Sequence, residues 1–244
     1  DVQNIPDDIM FHRQQSLVIY TPAIPSENNI ITYFRKNHFS IMKRSEALGL
    51  ITKDHFTIAV AGTHGKTTTS TMIAHILSYS GLDCTAFLGG ISQNYKSNLI
   101  FGTEESIIVV EADEFDRSFL FLYPDVAVIT SIDADHLDIY NNQETLSNAF
   151  TDFTNQVKKG GTLLIEESVD CSIIKRDDIS ILKYSNDLIS DCNATNILLD
   201  RGRMYFNVNY KDYNIRSFGI AEFSITEAIK KFTKYSVTIK DPYK

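Results

Sequence analysis

The sequence predicts an α/β protein built on a mostly parallel, doubly wound sheet. Three observations carry this expectation. Apolar runs and amphipathic helices alternate through the middle of the chain, at the spacing of strand–helix–strand units. The runs are nearly continuous in apolar residues, as in SIIVVEAD, which suits strands covered on both faces. Polar and acidic clusters follow the runs, where an open parallel sheet turns its strand ends toward a ligand crevice.

Each element follows in order. Residues 1–50 hold a strand, SLVIYT (Ser16–Thr21), and a loop with Pro22, Pro25 and Asn28-Asn29. A helix near Ile30–Lys36 and a short apolar piece, HFSIM, complete what reads as the tail of an α/β domain. FTIAVAG is the next strand. Lys66–Ser80 is a helix, with Met72, Ile73, Ile76 and Leu77 at helical spacing and Gly81 as its stop. CTAFLGG, SIIVVEAD and VAVITSI are three further strands. A helix at Glu144–Val157 and a strand, GTLLIEE, follow them. From about Ser180 the pattern changes, and NILLD, RMYFNVNY and YNIRSFGI alternate like antiparallel strands at one edge. SITEAIKKF reads as an amphipathic helix and YSVTI as a strand.

Composition bounds the function. The 244 residues, 43% hydrophobic and 22% charged, suffice for one large domain, or a domain plus part of another. A net charge of -8 argues against nucleic acid held on a basic surface. It leaves room for a nucleotide, because backbone N–H groups and one lysine can hold phosphate locally. Cys84, Cys171 and Cys192 form no CxxC pair, which fits a reducing compartment without a disulfide framework. No apolar run has the length of a membrane span and no signal peptide opens the chain, so the cytoplasm is expected, with no membrane partner.

Three motifs carry chemistry. The first is IAVAGTHGKTTTSTM (Ile58–Met72), a strand breaking into a tight turn and then a helix. Gly62, Thr63, His64, Gly65, Lys66, Thr67 and Thr68 are its candidate nucleotide-binding residues. Backbone N–H groups of residues 63–67 and the helix N-terminus would surround phosphate oxygens. Lys66 would reach the β- and γ-phosphates and the Thr67 hydroxyl would sit on Mg²⁺. The plainer alternative is a strand-to-helix turn with an ordinary threonine cap. The widespread G-x-x-x-x-G-K-[ST] pattern wants glycine where this chain has Val60. The second motif, VVEADEFD, crowds Glu111, Asp113, Glu114 and Asp116 after an apolar strand. Burying a carboxylate there needs a cation, and Glu111, first after the strand, is the candidate metal ligand. Asp116 reads equally well as a solvated acid. The third, ITSIDADHLDIY, places Asp133, Asp135, His136 and Asp138 after another strand. His136 sits among acids that could share a cation. His64, inside the loop, is either a packing residue or a contact to a bound anion or second substrate. His12, His38, His55 and His75 have no such setting.

Together GTHGKTTT, EADEFD and DADHLD, in this order and spacing, resemble the central ATPase domain of the Mur ligase family. The likeness runs over roughly residues 16–220. It implies a P-loop ATPase-like central domain at 51–220, the end of a UDP-binding, Rossmann-like N-terminal domain at 1–50, and a possible remnant of a C-terminal domain at 221–244. The family's shorter loop would account for Val60. The implied activity is an ATP-dependent acid–amino-acid ligation in peptidoglycan synthesis. DADHLDIY is most similar to members that join L-alanine to UDP-N-acetylmuramate through an acyl phosphate. By the same resemblance Lys66 and His64 are catalytic, Thr67 and Glu111 bind one Mg²⁺, His136 binds another, and His64 contacts the muramate. A monomer or homodimer is expected. Ser131 stands where the family often has Asn. A glycine-rich turn before residue 1 and a Pro-Gly-x-His-Asn-like segment after residue 220 are not in the sequence, so a partial or interrupted chain is expected. The rivals are a muropeptide-recycling ligase of the same family, a P-loop regulatory or transport ATPase, and a non-catalytic binding module.

Overall fold

The structure, a computed structural model, describes residues 5–6, 8–114, 117–133, 140, 142–186, 190–200, 203–210 and 213–219. Its N-terminal part is a small parallel sheet of β1 (Leu17–Tyr20) and β2 (Ser40–Lys43), joined through helix α1 (Asn29–Lys36). The Asn28 side chain caps α1 by accepting from the N–H groups of Ile30 and Ile31. Helix α2 (Arg44–Asp54) then packs on β1, β2 and a 3-10 turn at Ser118–Phe121. No periodic pattern in the sequence marks α2. Its apolar residues do not form one stripe, since Leu50 and Ile51 are exposed and Gly49 interrupts the run. The boundary expected at residue 50 falls inside this helix.

The remaining strands form one sheet of ten. They are β3 (Thr57–Ala61), β4 (Cys84–Ser92), β5 (Ser97–Ile100), β6 (Ile107–Glu111), β7 (Val126–Ile129), β8 (Thr162–Glu166), β9 (Ser180–Ser185), β10 (Cys192–Asp200), β11 (Arg203–Tyr210) and β12 (Tyr213–Gly219). Their spatial order is β12-β11-β10-β9-β8-β7-β3-β6-β4-β5. From β4 across to β10 every pairing is parallel, while β5, β11 and β12 are antiparallel to their neighbours. The fold class expected from sequence is therefore correct. The antiparallel edge starts at β10 rather than at Ser180, because β9 still pairs in parallel with β8 and β10. Among strands the sequence reading missed β5, four residues at a half-exposed edge, and β9. The helix and strand expected within residues 221–244 lie outside the described residues.

The sheet is wound on both faces. Every residue of β3 is buried, and alternate side chains feed two cores. Ile58 and Val60 pack with Ile73, Ala74 and Leu77 of α3 (Lys66–Tyr79). Ala59 and Ala61 join Leu146, Phe150 and Phe153 of α4 (Gln143–Asn155) on the other face. Among the described residues no helix is long and apolar enough to cross a membrane.

Candidate active site

The phosphate-loop candidates lie where β3 ends, at the centre of the sheet's C-terminal edge. Val60 is a fully buried strand residue, opposite Glu111 on β6 and Val128 on β7. The turn opens only at Gly62, so the loop is two residues shorter than a pattern beginning at position 60. Gly62 has φ 128°, and a Cβ there would lie 2.1 Å from the Thr130 hydroxyl and 2.9 Å from the Ser131 nitrogen. Only glycine fits. The residues after β7 brace the turn from its side. Thr63 N–H donates to Ser131 O at 3.0 Å, and His64 N–H donates to Ser131 Oγ at 3.2 Å. Asp133 N–H donates to Thr63 Oγ1 at 2.9 Å.

Helix α3 then begins at Lys66, and no side chain caps its first turn by a hydrogen bond. The first four N–H groups of a helix have no partner within it, and here the Thr69 N–H is the one that reaches the Gly65 carbonyl, at 2.9 Å. The opening N–H groups and the positive end of the helix thus face the loop, an arrangement suited to an anion.

Lys66 turns into the loop. Its Nζ donates to the Gly62 carbonyl at 2.8 Å and lies 3.4 Å from the Thr63 carbonyl. It meets both Glu114 oxygens, Oε2 at 2.8 Å and Oε1 at 3.0 Å. The two side chains are 11% and 1% exposed. Tyr140 Oη donates to the Glu114 carbonyl, fixing the segment after β6. Glu114 was visible in the sequence only as one of four clustered acids. The signal that could have selected it was the need of a buried carboxylate for a cation.

Glu111 sits beside Thr67. Thr67 Oγ1 donates to Glu111 Oε1 at 2.9 Å, and Gly89 N–H donates to Glu111 Oε2 at 2.7 Å. A Cβ on Gly89 would lie 2.3 Å from that carboxylate, so glycine on β4 is what admits it. Gly89 was not foreseen from sequence. A pocket of about 100 Å³ opens here, bounded by Arg44, Phe87, Gly89, Glu111, Asp113 and Ser118. A hydroxyl and a carboxylate side by side are oxygen donors of the kind Mg²⁺ prefers, so these residues fit the expected ion.

The structure therefore brings together Gly62, Thr63, Gly65, Lys66, Thr67 and Glu111. Thr68, on the first turn of α3, is exposed. The His64 side chain is 68% exposed at the rim, with Nε2 3.8 Å from Asp133 Oδ2, a solvent-screened contact of small worth. His136, Asp116, Asp135 and Asp138 lie outside the described residues. Among the described residues no three His, Cys, Asp or Glu side chains cluster as a metal site.

Comparison with known proteins adds four likenesses. The Mur ligase middle domain matches residues 60–229. A UDP-N-acetylmuramate–L-alanine ligase of Porphyromonas gingivalis is 45% identical over 211 residues, covering 86% of this chain and 46% of that protein. The solved UDP-N-acetylmuramate-alanine ligase from Thermotoga maritima superposes with a TM-score of 0.69 at 22% identity, covering 90% of this chain and 51% of the other. The MurF ligase from Thermotoga maritima in complex with ADP superposes with a TM-score of 0.65 at 14% identity, covering 96% of this chain and 66% of the other. The chain spans about half the length of the curated relatives it matches.

Proposed function

Since the chain belongs to the Mur ligase family, we propose that it is the ATP-binding part of an enzyme joining L-alanine to UDP-N-acetylmuramate. The observation that carries this reading is the convergence at one sheet edge. Lys66 and Thr67, at the uncapped start of α3, and Glu111 lie together where β3 and β6 end. The 45% identical relative named above supports the choice of L-alanine. In this reading residues 51–220 form the nucleotide-binding domain, 1–50 the end of a UDP-binding domain and 221–244 a piece of a third.

Phosphoryl transfer asks little covalent chemistry of the protein and much positioning. The N–H groups opening α3 hold phosphate oxygens, and Lys66 offsets charge at the β- and γ-phosphates. Thr67 and Glu111 would hold Mg²⁺, which neutralises charge on the transferring group when bound. His136 is assigned to a second ion by family likeness. His64, exposed at the rim, is assigned to contact the muramate by family likeness. The muramate carboxylate attacks the γ-phosphorus, the bond to the β-phosphate oxygen breaks, and ADP leaves. The L-alanine amine then attacks the acyl phosphate carbonyl, an amide bond forms, and inorganic phosphate departs. The site works in the cytoplasm.

The test is phosphate release from ATP with UDP-N-acetylmuramate and a panel of amino acids. Release is expected only when the sugar nucleotide and L-alanine are both present. Release with neither overturns the ligase reading. Release with an intact peptide in place of L-alanine moves the chain to the recycling branch.

A further inference from the structure

We propose that Glu114 sets the loop's hold on nucleotide phosphate by competing for Lys66, an inference that rests on the nucleotide reading above. An ammonium group has three N–H donors. The structure commits those of Lys66 to the Glu114 carboxylate and the carbonyls of Gly62 and Thr63. A phosphate oxygen that reaches Nζ must therefore displace Glu114 or share the lysine with it.

Both routes weaken binding. Displacement parts a carboxylate whose side chain is 1% exposed from the Lys66 ammonium, which is costly in a low-dielectric interior. Sharing keeps the pair together, and a neutral pair attracts phosphate less than a lone ammonium does. The carbonyl partners are neutral and oppose phosphate less. Glu111 is engaged elsewhere, by Thr67 and the Gly89 N–H. Among the described residues Glu114 is thus the acid whose charge offsets Lys66. A tighter hold on ground-state nucleotide would not speed chemistry, whereas a moderated one favours release of product nucleotide.

Glu114→Gln keeps the side chain's size and one acceptor oxygen while removing the charge. ADP and AMP, each with magnesium, are titrated calorimetrically into the whole chain and into this variant. ADP is expected to bind about tenfold tighter to the variant, the size of one charge-assisted hydrogen bond. AMP, which lacks the β-phosphate that Lys66 is assigned, is expected to change less than about twofold. ADP binding no tighter than to the parent overturns the proposal, as does an equal gain for AMP. A parent chain that binds neither nucleotide overturns the phosphate-loop reading itself and takes the proposal with it. Thermal unfolding tests the pairing independently of ligand. Lys66→Met removes the ammonium from beside the buried carboxylate, so the double variant Lys66→Met/Glu114→Gln is expected to melt higher than Lys66→Met alone. A double variant that melts lower overturns the pairing.

Discussion

The two ends of β7 carry the same chemistry put to different uses. Just before the strand, Asp125 Oδ2 accepts from Lys158 Nζ at 2.8 Å and from the Thr57 N–H at 2.8 Å. Lys158 also donates to the His55 carbonyl at 2.7 Å. Just after the strand, Thr130 and Ser131 brace the loop whose Lys66 meets Glu114, again at 2.8 Å. Bond length does not separate the two pairs. Their surroundings do. The Asp125–Lys158 pair is about a quarter exposed, and its remaining bonds tie down the start of β3. The Lys66–Glu114 pair is buried, it borders an uncapped helix start, and its lysine leans on carbonyls of a turn only glycine can make. A charged pair that closes backbone ends is a staple; one held beside unclaimed N–H groups is a site.

Substitutions break this contrast in graded steps. Lys66→Met is expected to do most: a stability loss of about 3–5 kcal/mol in urea unfolding, from parting the buried carboxylate from its ammonium neighbour, together with loss of calorimetric ADP binding. If ADP binding survives, the upper pair is only a second staple. Gly62→Ala forces an L side chain into a left-handed backbone, at about 1–3 kcal/mol before its contact with Thr130 is counted. Weakened ADP binding is expected with it, since the loop must open. Lys158→Met is expected to cost about 1–2 kcal/mol, the scale of charge-assisted bonds in a partly exposed pair. ADP affinity should stay at the parent value, and a drop there would erase the distinction between the two ends. The smallest effect is chemical. Burial, with the Asp83 charge second, pushes the Cys84 thiol up to about 12 at the start of β4. Below that pH it is a poor nucleophile, so iodoacetamide at pH 8 is expected to label the exposed Cys171 and spare Cys84 in the folded chain. Labelling of Cys84 would mark opening of the stapled end.

What the sequence disclosed was whatever rests on local periodicity or on a contiguous motif. The alternation of buried runs and helices predicted β3, α3, β6 and β7, and GTHGKT announced the loop. The oddity at Val60 was legible as a missing glycine, but its cause was not. It is a core residue of β3, and the turn starts beyond it. The roles of Glu114, Gly89 and Ser131 were hidden because their meaning lies across the fold. Glu114 is 48 residues from Lys66, Gly89 is 22 from Glu111 and Ser131 is 67 from His64. No helical or strand period spans such distances. His64 shows the converse: its place inside the motif suggested chemistry, while its side chain stands mostly in solvent.

The position of β3 between β6 and β7 also has a meaning in time. The GTHGKT segment comes early in the chain, but its shape depends on partners that arrive much later. Long-range pairings of this kind form slowly, because chain-closure entropy must be met before contacts reward it. A fragment ending near residue 120 carries the whole motif without Thr130 or Ser131 to brace it. Such a fragment is expected to ignore ADP, and in refolding the appearance of ADP binding would date the moment β7 locks beside β3.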